Sequence, residues 1–178
     1  MQLHGKKIGI VLFLLIGIYV INLQIEKKEL ELRLESLAGH NLFLLLTTYD
    51  GIQDLLHSDK KSTDIIINVK KKHESIKEFS STIDTAIGRG DLTTIYFKFN
   101  EIFSHLENIN TSVDKNKIKE LIEIKGLIQE LETIIYETYY DKTDTEGGKA
   151  ELYIKGFDKI DAYIEKITKF NKEFTLKN

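Results

Sequence analysis

Residues 6–37 read KKIGIVLFLLIGIYVINLQIEKKELELRLESL, and what surrounds the apolar half of this stretch decides the architecture. Ile8–Leu23 is a run of 16 residues without a charge. Extended to Ile25, it makes a helix of about 27 Å at 1.5 Å rise per residue. That is slightly short of a hydrocarbon core of about 30 Å but within the range of a spanning helix. Lys6 and Lys7 precede the run, as basic residues precede an export signal. A cleavable signal ends in small residues, and IYVINLQIE offers none. The expectation is therefore an uncleaved signal-anchor built from Ile8, Val11, Leu12, Phe13, Leu14, Leu15, Ile16, Ile18, Tyr19, Val20 and Ile21. The alternatives are a cleaved signal and a core helix of a soluble cytosolic bundle. A short basic tail before the first apolar run favours an N-inside orientation. The expected organisation is a tail over 1–7, a transmembrane segment over 8–23 and an extracytoplasmic domain over 24–178.

Working outward, Leu23, Leu30, Leu37 and Leu44 recur every seventh residue with Leu34 between them. This coiled-coil-like seam carries the first helix out of the apolar run and permits self-association. LFLLL at 42–46 is apolar on all sides and is expected to be buried on several. The first helix should end near His57, at the polar turn HSDKKSTD.

Four further helices follow from 3-4 spacing and punctuation. The second starts at Thr63 or Asp64 and carries Ile66, Val69, His73, Ile76, Ser80, Ile83 and Ile87 up to GRG at 88–90. Asp91 is expected to cap the third, whose stripe is Leu92, Ile95, Phe99, Ile102, Leu106 and Ile109. The fourth spans about residues 114 to 141, with Leu121, Ile124, Ile128, Leu131, Ile135 and Thr138 inward. The fifth carries Ala150, Tyr153, Phe157, Ile160, Ile164, Ile167 and Phe174. The chain has no proline, the residue that helix interiors tolerate worst. The predicted fold is all-α: an N-terminal transmembrane helix continuing into an antiparallel four- to five-helix bundle. Alternating helices would bring the turns at 88–91 and 141–148 towards the membrane, making Tyr136, Tyr139 and Tyr140 candidates for the lipid interface, where tyrosine is enriched; the alternative is that they fill the end of the bundle core or lie exposed.

The chemistry is mostly exclusion. There is no cysteine, hence no disulfide framework, thiolate zinc site or Cys nucleophile. Lys and Arg number 25 against 28 Asp and Glu, a net charge of -3, which gives nucleic acid no basic footprint. Arg33 and Arg89 are the only arginines and isoleucine is abundant, a bias typical of an AT-rich bacterial or phage genome. Glu101 and His105 share a helix face, but the di-iron bundle pattern needs paired Glu-x-x-His motifs, and none occurs. GRGD at 88–91 lacks the remainder of a phosphate loop, and no G-x-S-x-G elbow is present. No catalytic residue, cofactor or metal is expected, and the chain is not read as an enzyme. The basic concentration at Lys70, Lys71 and Lys72 is read as a solvated face. His73, on the apolar stripe, is a candidate for a pH-sensitive core group.

The functional expectation is a single-pass, non-catalytic bundle working through protein–protein contacts at the outer face of a bacterial membrane. Its partners would be membrane lipid through the N-terminal helix, an unidentified protein and, through the leucine seam, a second copy. The alternatives are a ligand- or pH-sensing ectodomain signalling through a partner, and the soluble bundle.

Overall fold

The computed structural model describes residues 2–57, 63–108, 115–140, 154 and 156–177, with side chains of the first helix from Phe13 onward. Their regular elements are six helices: α1 (Gln2–His57), α2 (Thr63–Glu74), α3 (Ile76–Ile87), α4 (Asp91–Asn108), α5 (Lys115–Tyr139) and α6 (Asp158–Lys177). The chain divides into two compact units, Met1–Ser36 and Leu37–Asn178.

The first unit is the N-terminal part of α1. Phe13, Leu14, Leu15, Ile16, Ile18, Tyr19, Val20 and Ile21 are all exposed, Phe13 to 78%. Successive side chains of a helix point around its circumference, so this apolar surface is continuous on every side. Among the described residues no helix is long and apolar enough to cross a membrane; the anchor positions Ile8, Val11 and Leu12 fall outside the described side chains. The leucine seam is open, with Leu23, Leu30 and Leu37 exposed. Lys27–Glu31 and Glu29–Arg33 pair at i, i+4 in the same stretch, both well exposed; each contributes only a few tenths of a kcal/mol.

The second unit is a helical bundle of five columns: residues 37–57 of α1, α2 followed by α3, then α4, α5 and α6. Cross-links give the directions. Gln53 donates to Glu132 at 2.6 Å, and His57 lies 3.5 Å from Lys125, so α1 and α5 run antiparallel. Lys159 pairs with Glu137 and Lys166 with Glu130, so α5 and α6 are antiparallel too. Arg89 reaches Asp161, while Asn171 donates to Glu101, so α4 and α6 are parallel. This is up-and-down order. α4 packs on α2, α3 and α6, and α6 also packs on α5.

The core contains Leu42, Leu45, Tyr49 and Ile52 from α1, Ile66 and Val69 from α2, and Ile76 and Ile83 from α3. Leu92, Ile95, Phe99, Ile102 and Phe103 of α4 join Ile124, Ile128, Leu131 and Ile135 of α5, and Ile160, Tyr163, Ile167 and Phe174 of α6. These are the expected stripes widened by a second row: Tyr96 and Phe103 on α4, Leu127 on α5 and Tyr163 on α6. A core-facing helix needs an apolar band broader than one line of residues, which the single-row reading underestimates.

Four expectations change. The buried face of α1 is Ala38, Leu42, Leu45, Tyr49 and Ile52, rotated off the heptad leucines, and Phe43 of LFLLL is 62% exposed. One side of that segment is therefore solvated. The second helix is assigned as two, α2 and α3, on either side of Ser75, whose backbone keeps right-handed helical angles and whose hydroxyl donates to the Lys72 carbonyl at 2.8 Å. Such local bonding competes with the helix ladder. The last helix begins at Asp158, so Phe157 precedes it; Ala150, Tyr153 and Ile109 lie outside the described residues. Finally, Asp91 is not the cap of α4. Its carboxylate is held by Arg89 Nε, and the buried Asp84 of α3 accepts from Leu92 N–H at 3.2 Å and Thr93 N–H at 2.8 Å.

Asp84 thereby closes both sides of one turn. Its backbone carbonyl accepts from Arg89 N–H at 2.9 Å, while Gly88 ends α3 in the left-handed region at φ 72°. Glycine adopts that conformation without the Cβ penalty.

Candidate functional site

The residue types that carry chemistry gather at three places in the bundle. The first is around His73, which is fully buried. Its imidazole stacks on Tyr96 of α4 at 4.7 Å between centroids and 8° between planes. Phe103 meets it edge-on at 4.9 Å. Phe99 lies at 6.2 Å and Tyr49 of α1 at 6.3 Å. Neither ring nitrogen has a hydrogen-bond partner among the described residues. Burial alone pushes the pKa of His73 down to about 3, because a charged imidazole would lose its hydration. The ring is neutral through the physiological range. Burial likewise raises Tyr49 well above the ordinary phenol value, with smaller contributions from Glu132 and Tyr96.

The second place is the end of the bundle where α3 turns into α4. Arg89 bonds Asp91 and, at 2.7 Å, Asp161. Its guanidinium lies 4.0 Å over the Phe157 ring, a cation–π contact. Tyr139 packs against Phe157 at 6.2 Å; burial, then the charges of Asp84 and Asp91, push its hydroxyl up. The Arg89 clamp thus ties the α3–α4 turn to the start of α6. Its donors meet carboxylates of the same chain, so GRGD is structural here.

The same region holds Tyr136, Tyr139 and Tyr140, candidates for either a lipid interface or the end of the core. Tyr139 is fully buried and Tyr140 is 8% exposed, raised to about 12 by burial and by Tyr136. Burial withdraws both rings from the surface, and they fill the end of the core. Tyr136 remains 46% exposed and packs on Tyr140 at 5.5 Å.

The third place is a shallow groove of about 410 Å³ between α5 and α6, lined by Glu130, Thr133, Ile134, Glu137, Lys159 and Tyr163, among others. Ion pairs Lys159–Glu137 and Lys166–Glu130 span it, and the Tyr163 hydroxyl donates to the Leu127 carbonyl at 2.7 Å. It is a zipped helix seam whose polar groups already satisfy one another.

Glu101 and His105, the carboxylate–imidazole pair of the sequence, are drawn into packing. Glu101 accepts from Lys98 and Asn171, and His105 meets the Phe174 ring at 5.8 Å. Among the described residues no group of three or more His, Asp or Glu is placed to hold a metal ion. Lys71 and Lys72 are exposed, but the Lys72 chain lies across α1 where Gly51 leaves room for it.

Sequence reasoning missed Asp84 as the cap of α4 and Arg89 as the clamp on Asp91 and Asp161. An acidic residue at the last core position before a glycine stop, followed by Arg-Gly-Asp, was the available signal. Comparison with protein-family profiles, characterised proteins and solved structures finds no match to this chain.

Proposed function

We propose that the chain is a single-pass, membrane-anchored helical bundle that acts without catalysis, by presenting its surface to another protein at the outer face of a bacterial membrane. The observation that carries this reading is the continuous apolar surface of Phe13–Ile21, exposed on all sides of α1. A soluble protein rarely leaves so large an apolar area in water. Lipid covers a helix on every side, whereas a bundle core covers one face. The alternative with Ile8–Leu23 packed inside a soluble bundle is disfavoured because the described core is filled by residues from Leu42 onward.

Action by contact rests on the character of the bundle surface. Its polar clusters are internally paired, and Phe43, Ile67, Phe97, Ile122 and Leu176 stand exposed. The open leucine seam at 23, 30 and 37 offers self-association as one form of that contact. Deleting residues 1–23 tests the division of labour. The expected product is soluble, helical and cooperatively unfolding; an unfolded or aggregated product sinks the idea of a self-sufficient domain on an anchor. Photo-crosslinkers at Phe43 and Ile122 then identify the contact, and crosslinking to lipid alone would refute a protein partner.

A further inference from the structure

We infer that His73 is an acid-sensitive latch: the neutral ring holds α2 in the bundle, and acidification releases α2 from α1 and α4. This rests on the bundle core and is independent of the membrane anchor.

The geometry supplies a plug and its socket. α2 is a short helix of 12 residues whose buried residues are Ile66, Val69 and His73. The last of these is the plug. Four aromatic rings from two other helices close on it, from Tyr49 of α1 and from Tyr96, Phe99 and Phe103 of α4. Immediately after the plug and Glu74, α2 ends at the exposed Ser75, where the backbone keeps right-handed helical angles, φ -67° and ψ -23°. Release would uncover the aromatic face of α4.

Proton uptake is opposed only while the ring stays in place. The titratable groups facing the imidazole are Tyr49 from α1 and Tyr96 from α4, both neutral phenols. α3, also packed on α2, contributes no charge to the ring, and neither does Glu74, whose charge acts on Tyr96. A protonated ring would present two N–H donors where no acceptor stands among the described residues. Cation–π attraction from Tyr96 offsets part of that cost, but burial still depresses His73 strongly. In the released state the ring is hydrated and has an ordinary imidazole pKa of about 6.5. Protons therefore bind the released state in preference. The released-to-latched ratio rises about tenfold per pH unit below about 6.5.

Residue-resolved hydrogen exchange on the full chain in detergent micelles, at pH 7.5 and 5.0, tests this after correction for intrinsic exchange rates. The opening constant of amides 66–74 should rise about thirtyfold over that interval, and at both pH values should exceed that of amides 99–103 and 124–135. His73→Leu should abolish the acid-induced rise, His73→Gln should do the same, and His105→Gln should leave it intact. Identical opening constants in α2, α4 and α5 would overturn the latch in favour of global unfolding. An α2 opening constant insensitive to acid would overturn it as well, and so would a rise that survives either His73 substitution.

Discussion

Residues 13–37 and 38–57 belong to the same helix, yet they meet their surroundings by opposite rules. In the first stretch apolar residues stay exposed from Phe13 through Leu37, and as far as Leu23 they occur on every side. In the second, Ala38, Leu42, Leu45, Tyr49 and Ile52 bury one face, and Thr47, Asp50 and Asp54 occupy the other. A helix with one apolar stripe is written for a protein core, whereas one apolar all round is written for surroundings without a preferred side. Overall hydrophobicity does not distinguish the two; the angular distribution does. Most helical stability comes from packing, so the two stretches should respond differently to the same kind of damage.

Large-to-small substitution separates them most strongly. Phe99→Ala removes a fully buried ring that touches Tyr49, His73 and Phe103, and should cost about 3–5 kcal/mol in urea unfolding of the bundle. Leu15→Ala, in the exposed stretch, should shift the same unfolding by less than about 0.5 kcal/mol. Equal losses would erase the distinction between the stretches.

Acid sharpens the comparison next, because the second stretch helps bury His73 through Tyr49. The folded pKa of about 3 lies below the ordinary value, so the unfolded state binds the proton first. Stability is then fully present above about pH 6.5 and falls by about 1.4 kcal/mol per unit as pH drops towards 3. Chemical denaturation at pH 6.5 and 5.0 should differ by about 2 kcal/mol from this group, and His73→Leu should remove the difference.

Asp84→Ala should cost about 1–2 kcal/mol by stripping the cap from α4, measurable as a lower urea midpoint, whereas Asp91→Ala leaves those two N–H bonds intact. The smallest effect belongs to the α5–α6 seam. Glu137→Gln should cost no more than about 0.5 kcal/mol, since Lys159 and Glu137 are both well exposed.

The fold was legible where side-chain period is a local property. Ile66, Val69, His73, Ile76, Ser80 and Ile83 fall on one buried line as their spacing implies, even across the break at Ser75. Two things were not legible. Heptad leucines at 23, 30 and 37 show periodicity but not what faces it, and the buried stripe of α1 follows a different line. Nor does local spacing reveal that Asp84 serves a helix eight residues on, or that Tyr139 and Tyr140 turn into the core. Those depend on where neighbouring helices close. His73 was legible as a core position, whereas its four-ring enclosure required the crossing of α1, α2 and α4.

The most direct test of the account concerns the first stretch of α1. Membranes from cells expressing the full chain are washed in alkaline carbonate, alongside an Ile16→Arg, Ile18→Arg double variant. Arginine near the centre of a spanning helix costs about 2.5–3.5 kcal/mol per residue. The account predicts that the wild-type chain stays in the pellet and that a larger fraction of the variant moves to the wash, with its bundle still folded. Wild-type chain extracted into the carbonate wash would contradict it.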